Sequence, residues 1–377
     1  MRKGLAPLCF GALFLLCLGV AMVASVSDAQ AVRFGKSANF FAVRQLVFAL
    51  SGAVLAFFVL PRFDYHVFKR PWAVVALVLL VAFGLVSVWI PGLADVAHKG
   101  SSRWIRLGPI QIQPSEFVRV AVCILYARWC SDIRRHNEYF WRGVILPLVA
   151  LLPVLVLFVK QPDYGSTILV LVVVLAILYA AGAKFGHILL IGLLGIAVLG
   201  VGLFADPEHR SRITSVYASE SADADDTHQI NASLKAFRRG GFNGVGYGDG
   251  RMKEGHLPEA HTDFILAMTG EELGLRVTLL VVAGNLLLLF GGWQISRHCT
   301  DRFGKVLAFG LALHLCLAAA ANIAVVTKFA PTKGLALPFM SYGGSNMLAS
   351  SVVLGLLISI GRNGETGFAH KPILLGR

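Results

Sequence analysis

Residues 257–293 read LPEAHTDFILAMTGEELGLRVTLLVVAGNLLLLFGGW, a polar segment followed directly by a long apolar one. Its second half is an apolar run long enough to cross a bilayer as a helix. Its first half carries His, Asp and Glu side chains, which are costly near lipid and therefore suggest a function. The stretch indicates a membrane protein with chemistry at the point where a helix leaves the membrane.

The composition of the whole chain supports this class. Of its 377 residues, 56% are hydrophobic and only 15% are charged, and the mean hydropathy is +0.70. A soluble fold of this length has no means of burying so much apolar surface, whereas a bilayer removes the need to do so. The formal net charge is +13, but the Lys and Arg residues lie between the apolar runs. That placement favours anionic lipid headgroups or a phosphate-bearing substrate, and we expect no nucleic-acid partner.

Apolar runs of about 20 residues recur along the chain, and each is predicted to be a transmembrane helix because backbone amides must be paired within lipid. The sequence predicts an all-α polytopic membrane protein in which residues 1–377 form a single domain with about ten transmembrane helices. The first run is longer than the apolar part of a typical signal peptide, so we interpret it as a helix. The runs lie at residues 5–26, 42–60, 72–90, 115–130, 143–160, 165–181, 185–204, 264–293, 304–327 and 340–361.

The even number of spans places both termini on one side of the membrane. The short loops on the side of the termini are richer in Lys and Arg, which predicts that both termini are cytoplasmic. The large polar loop at 205–263, between helices 7 and 8, is then extracytoplasmic. Within it, Ile230, Leu234 and Phe237 recur at helical spacing, which predicts a short helix lying at the membrane interface.

Two patterns that could bind metal lack the required spacing. The six cysteines include no CxxC pair, so neither a disulfide framework nor a zinc site is indicated. HLPEAH at 256–261 contains two His and one Glu, but Pro258 interrupts the helix that an H-E-x-x-H site requires. No metal site is expected from these patterns.

Charged residues around the fourth span allow two interpretations. Glu116 and Arg119 are three apart in QPSEFVR, so they form either a stabilising pair on one helix face or a positive site for an anionic substrate. Arg103 and Arg106 accompany Trp104 in KGSSRWIRLG, which is typical of an interfacial belt and also fits one wall of a phosphate site. Asp163 in KQPDYGST is placed either to cap the following helix or to serve a site.

The acidic residues of the opening stretch differ in position. Asp263 lies near the start of the eighth span, where a helix N-terminus favours an anion and the outer loop gives access. Simple helix capping is the alternative. Glu271 and Glu272 are about two turns further along, so at least one of them needs a partner or a water-filled cavity.

Four segments together resemble the signature sequences of the SEDS family (shape, elongation, division and sporulation), which contains the bacterial FtsW and RodA proteins. The resemblance spans residues 35–362 in the family's order, and PTKG at 331–334 is more similar to the FtsW branch. The segments are GSSRWIRLGPIQIQPSEFVR at 100–119, KQPDYGST at 160–167, HTDFILAMTGEELG at 261–274 and PTKGLALPFMSYGGSN at 331–346.

This resemblance implies a peptidoglycan glycosyltransferase of the bacterial inner membrane that polymerises lipid II, an undecaprenyl-diphosphate-linked disaccharide pentapeptide, for septal synthesis in cell division. It also implies a class B penicillin-binding protein as partner, together with other division proteins. The family's essential Asp matches Asp263. The chain departs from the family pattern at Arg119, where Lys is usual, and at His256, Lys328 and Asn346.

The resulting hypothesis makes Asp263 the general base for the acceptor hydroxyl in an inverting transfer. A divalent cation such as Mg²⁺ or Mn²⁺ could assist at the diphosphate, although the sequence shows no clear ligand set, and no other cofactor is expected. A lipid II flippase and a non-catalytic division scaffold are the alternatives. The predicted substrate-binding residues are Arg103, Glu116, Arg119, Asp163, Arg210, Arg212, His261, Lys333 and Ser341.

Overall fold

The computed structural model describes residues 3–28, 31, 35–90, 92–93, 103–108, 110–132, 139–205, 225–254, 257, 260–331 and 334–364. These residues are mostly helical, with one two-stranded hairpin. Turns at Leu55–Val59 and Leu60–Arg62 extend the helix Phe40–Val54, and a π-helical turn at Phe140–Ile145 leads into the helix Leu146–Lys160. The helices are α1 Leu5–Val26, α2 Phe40–Val54, α3 Pro71–Ser87, α4 Pro114–Ser131, α5 Leu146–Lys160, α6 Tyr164–Ala180, α7 Phe185–Ala205, α8 Asp225–Gly240, α9 Ile265–His298, α10 Arg302–Val326 and α11 Gly344–Asn363.

Each predicted span coincides with a helix, so the polytopic all-α fold is confirmed. Among the described residues, six helices are long and apolar enough to cross a membrane, and α3, α6 and the first part of α7 are shorter apolar helices. The remaining span, α4, carries Glu116, Arg119 and Arg128. The last span begins at Gly344 rather than at residue 340, because residues 338–342 form turns before it.

A β-hairpin precedes α4 and was not predicted. Strand β1 (Ile105–Leu107) pairs antiparallel with β2 (Ile110–Ile112), and Arg106 lies opposite Gln111. Opposed residues in such a pair project from the same face, so these two side chains point the same way. The stretch that could have been an interfacial belt is therefore a folded hairpin.

The bundle is built around α9, which packs most extensively on α1 and α10. Glycines on α9 allow α1 to approach closely, as small residues do at interfaces between membrane helices. A Cβ atom on Gly291 would lie 2.8 Å from the backbone oxygen of Gly4, and one on Gly284 would lie 3.1 Å from Leu15. The glycines therefore let both the backbone and the side chains of α1 pack directly against the backbone of α9 along this seam.

The predicted helix in the outer loop is confirmed as α8, but its apolar face packs on protein rather than at the membrane interface. Ile230 is 1% exposed, and the Ser233 hydroxyl donates to the Val326 carbonyl at 2.7 Å. At its end, Gly240 lies directly against the backbone of Gly270 on α9. The helix thus belongs to the folded bundle.

Glu271 and Glu272 both have partners. Glu271 accepts backbone hydrogen bonds from Arg251 and Met252, at 3.0 and 3.2 Å. Glu272 accepts bonds from the Ser25 hydroxyl at 2.5 Å and the Gly248 amide at 3.0 Å. Lys253 adds an ion pair to Glu272 at 3.4 Å.

These bonds hold the glycine-rich segment 240–250 against a kink in α9. The kink is at Gly274, whose φ of 79° and close contact with the Gly244 amide leave no room for a side chain. The carboxylates of the GEELG segment are therefore explained by loop packing, and they do not face a substrate cavity.

The opposite ends of the helices carry a second polar cluster, which joins the turn after α2 to the turn before α10. His66 contacts Asp64 at 2.7 Å through Nδ1 and Asp301 at 3.3 Å through Nε2. Lys69 pairs with Asp301 at 3.3 Å, and Asp301 caps α10 through the Gly304 amide. We call His66, Asp64, Lys69 and Asp301 the inner latch.

Candidate active site: a cationic chamber

A chamber of about 710 Å³ opens where the N-terminal ends of α2, α9 and α11 meet the hairpin. Phe40 and Phe41 start α2, Gly344 starts α11, and Asp263 lies two residues before α9. The volume is within the range of small-molecule sites. Helix N-termini carry partial positive charge, so their convergence favours an anionic ligand.

Asp263 is the carboxylate of this chamber. It is partly exposed and lies in the turn 260–264. The N-cap position of α9 is Phe264, whose side chain makes no capping hydrogen bond, and Asp263 lies one residue before it. A Cβ atom on Gly334, whose φ is 61°, would lie 3.5 Å from Asp263 Oδ2, which places the loop at 334 directly beside the carboxylate.

Cations surround this carboxylate on two sides. Lys36 and Arg44 come from the start of α2, and Arg103 and Arg106 come from the hairpin. Arg103 is fixed by hydrogen bonds from Nε to the Gln161 carbonyl and from a terminal nitrogen to the Pro162 carbonyl, at 2.8 and 2.5 Å. Among the described lining residues there are thus four cations and one acid.

Aromatic side chains form another part of the wall. His261 packs between Phe41 and Tyr342, with ring centroids 5.2 Å apart in each pair. Trp104 and Phe40 also line the chamber. Burial raises the pKa of Tyr342, and nearby Arg44 opposes that shift. The chamber can therefore hold an anionic group beside rings suited to sugar or lipid, with one carboxylate available for proton transfer.

Of the predicted site residues, Arg103, His261 and Asp263 line this chamber together. Ser341 does not line it. Its side chain is fully buried, donates to the Thr262 carbonyl at 2.7 Å and accepts from the Leu337 amide at 2.8 Å. Ser341 therefore supports the turn behind the catalytic candidate, which corrects the prediction that it binds substrate.

Glu116, Arg119 and Asp163 also lie away from the chamber lining, contrary to their prediction as substrate contacts. Arg119 is 3% exposed and forms an ion pair with Glu116, which is itself buried. Asp163 is close enough to Glu116 to interact with it, and it caps α6 through the Ser166 amide at 3.1 Å. The structure therefore agrees with the structural interpretations of these residues: Glu116 and Arg119 form an ion pair, and Asp163 caps a helix.

Arg210, Arg212 and Lys333 lie outside the described residues. Lys36 and Arg44 were not predicted as site residues, although both lie close to the N-terminus of an apolar helix. A cation near a helix N-terminus is unfavourable because it opposes the helix macrodipole. This unfavourable placement is the feature of the sequence that could have indicated a functional role. Within the described part of the chain, no group of three or more His, Cys, Asp and Glu side chains forms a metal site.

The chain matches a family of known proteins over nearly its whole length. A family model that covers FtsW, RodA and SpoVE, described as "Cell cycle protein", matches residues 6–366. A probable peptidoglycan glycosyltransferase FtsW of Geobacter sulfurreducens is 39% identical over 354 residues, which are 93% of this chain and 92% of that protein. Its counterpart from Alcanivorax borkumensis is 34% identical over 366 residues, covering 95% and 93%.

Solved structures share the fold. One, described as "Structural coordination of polymerization and crosslinking by a peptidoglycan synthase complex", has a TM-score of 0.71 at 24% identity and covers 94% of this chain and 97% of that chain. The rod shape determining protein RodA of Thermus thermophilus gives a TM-score of 0.63 at 24% identity, with the same coverage.

Proposed function

Because the chain belongs to the FtsW, RodA and SpoVE family and is a peptidoglycan glycosyltransferase, we propose that it polymerises lipid II in the chamber that holds Asp263. The observation that carries this proposal is the pairing of one carboxylate with four cations at one cavity. Lipid II has a sugar head for the carboxylate and a diphosphate for the cations, and its lipid tail reaches the site from the bilayer.

Asp263 acts as general base in this proposal. Its carboxylate takes the proton of the acceptor 4-hydroxyl as that oxygen attacks the anomeric carbon of the donor sugar. The bond from that carbon to the diphosphate breaks, and the electron pair leaves with the diphosphate. The donor linkage is α and the polymer linkage is β, so a single displacement with inversion needs one base and no covalent sugar–enzyme intermediate. Such a base contributes on the order of 10²–10⁴ in rate.

The cations stabilise the leaving group. Arg103 is held by two backbone carbonyls, so its guanidinium is positioned before substrate arrives. Preorganised charge of this kind costs no rearrangement at the moment of reaction. Lys36 and Arg44 add charge from the start of α2, and Arg106 adds charge from the hairpin.

A divalent cation is a further part of the proposal. Mg²⁺ commonly binds through one or two carboxylates together with substrate phosphates. Asp263 is the carboxylate that the described lining offers, and a bound cation would supply further charge at the diphosphate. If a chelator abolishes activity and added Mg²⁺ or Mn²⁺ restores it, the cation has a role in the reaction. Unchanged activity in the presence of the chelator would show that no divalent cation is required.

We also propose that the protein lies in the bacterial inner membrane with both termini in the cytoplasm, and that it works in septal synthesis. The chamber then faces outward, since it lies at the N-terminal ends of α2, α9 and α11. One structural neighbour belongs to a synthase complex that couples polymerisation to crosslinking. By extension, we propose a class B penicillin-binding protein and other division proteins as partners.

The test uses purified protein in detergent with dye-labelled lipid II. We expect muramidase-sensitive glycan strands on a gel. In sealed vesicles, accessibility of the labelled lipid to a membrane-impermeant quencher measures transport. Transport without polymer would overturn the proposal in favour of a flippase, and the absence of both activities would favour a scaffold.

A further inference from the structure

The turn that carries Asp263 has a fixed backbone, because three consecutive carbonyls each accept a hydrogen bond. The Tyr342 amide donates to His261 O at 2.9 Å. The Ser341 hydroxyl donates to Thr262 O at 2.7 Å, and Asn322 Nδ2 donates to Asp263 O at 2.7 Å. Asn322 comes from α10, whereas the other two donors come from the loop before α11.

Asn322 and Ser341 each make a second bond to the loop that forms the opposite wall. Asn322 Nδ2 also donates to the Leu335 carbonyl at 2.9 Å. Ser341 Oγ accepts from the Leu337 amide at 2.8 Å. The two side chains are 1% and 0% exposed, so water does not compete for these bonds. Each side chain therefore ties the Asp263 turn to the loop 334–343.

The loop is in turn held in an unfavourable conformation. Phe339 is completely buried and has a φ of 63°, in the left-handed region that a bulky residue avoids. Such a residue persists only where the surroundings determine it. Asn346 Nδ2 donates to the Leu337 carbonyl at 3.3 Å, which fixes the same stretch from α11.

We infer that Asn322 is a positioning residue for Asp263, an inference that rests on the proposed function of that carboxylate. Both hydrogens of its amide are used, one on the Asp263 backbone and one on the loop beside the carboxylate. The amide thereby sets the spacing between Asp263 and the wall at Gly334. An apolar side chain at this position supplies neither bond and leaves two buried carbonyls without their donor.

The experiment compares Asn322→Leu with Asn285→Leu in full-length protein, using lipid II polymerisation and thermal unfolding in detergent. Asn285 is a matched control, since it is 4% exposed and its Nδ2 donates only to Val281 O of its own helix, at 2.9 Å. We expect Asn322→Leu to lower kcat about 10- to 100-fold with little change in KM, because a small displacement of a catalytic group has effects of this size. Asn285→Leu should keep kcat near the wild-type value.

A second pair of variants removes less of the side chain, so that a loss of activity is not caused by misfolding. Ser341→Ala removes one of the three carbonyl bonds, and its control Ser351→Ala removes a bond to Met347 O within α11. We expect a lower kcat for Ser341→Ala only. The inference is overturned if Asn322→Leu and Ser341→Ala keep the kcat of their controls, or if they lower kcat only in proportion to lost folded protein. Absence of polymer from the wild type would instead refute the proposed function.

Discussion

Three carboxylates lie near the start of α9, and their surroundings give them different roles. Glu271 and Glu272 are 0% and 1% exposed, and backbone amides and cations occupy their oxygens. Asp263 is partly exposed and faces a chamber lined by cations. Only Asp263 combines access with a charge environment suited to an anionic substrate.

The buried pair of Glu116 and Arg119 gives the first prediction at the residue scale. Arg119→Ala and Glu116→Gln should each destabilise the protein by about 3–5 kcal/mol, because each leaves a buried partner without its counter-charge. Arg119→Lys should be tolerated better, since it keeps the charge. Thermal unfolding of the three variants checks this. Equal and small effects would show that the pair contributes little.

Arg44 gives the second prediction. Arg44→Ala should raise KM for lipid II about tenfold, the effect expected when one hydrogen bond to a charged group is lost. Its melting temperature should match that of the wild type, because the side chain lies at the chamber surface. Arg238→Ala is the control, an exposed cation on α8 that does not line the chamber. A similar KM for both variants would argue against diphosphate binding at Arg44.

At the scale of elements, the hairpin shows why part of the site could not be predicted. Each strand has three residues, too few for the alternation of apolar and polar residues to identify it. The chamber also depends on Lys36 and Arg44, which line it together with Asp263 only because α2 packs beside α11. Helix periodicity and span length predicted the helices, whereas the convergence of their ends is a tertiary property.

The roles of the buried charged residues could also not be decided from the local sequence. Glu116 and Arg119 share a helix face whether they form a pair or meet a substrate, and only burial distinguishes the two cases. The same holds for Asp163, whose capping bond decides its role. The motif carrying Asp263 could be identified from the sequence. A carboxylate beside an apolar run is costly to place near lipid, so its presence there indicates a function.

The inner latch predicts how stability depends on pH. The hydrogen bond to Asp301 raises the pKa of His66 above 6.5, with burial opposing and Asp64 assisting. Burial alone would raise the pKa of Asp301, but hydrogen bonds from His66 and Gly304, together with Lys69, hold it below 3.8. The His66 contribution is present below pH 6.5 and is lost as pH rises through its raised pKa. The Asp301 contribution is present above pH 3.8 and is lost as pH falls through its lowered pKa.

Melting temperatures measured from pH 5 to 9 test the latch. Wild type should lose stability toward pH 9 relative to His66→Gln, which lacks the titrating group. His298→Gln is the control, since His298 bonds only to Gln294 O of its own helix, and it should follow the wild-type curve. Parallel curves for wild type and His66→Gln would contradict the assignment.

At the scale of the whole molecule, the outer face of α10 offers a surface for the proposed membrane partner. Ala320 is exposed and lines an apolar groove of about 280 Å³ between α6 and α10, together with Leu317 and Val325. Its neighbour Ala319 is 1% exposed and belongs to the core. Small residues at such a groove allow close helix packing.

Ala320→Trp should therefore weaken co-purification with a class B penicillin-binding protein while the melting temperature stays at the wild-type value. Ala319→Trp is the contrasting variant and should lower the melting temperature, because overpacking a core typically costs about 1–3 kcal/mol. If Ala320→Trp retains full partner binding, this groove is not the interface.

In the proposed mechanism Asp263 is the base for glycan polymerisation, and the Asp263→Asn variant tests this role. Its rate on labelled lipid II is compared with that of wild type and of Asp249→Asn, an exposed acid on the outer glycine loop away from the chamber. We predict a loss on the order of 10²–10⁴ for Asp263→Asn, an unchanged melting temperature, and a near wild-type rate for Asp249→Asn. Glycan strands made by Asp263→Asn at close to the wild-type rate would contradict the account.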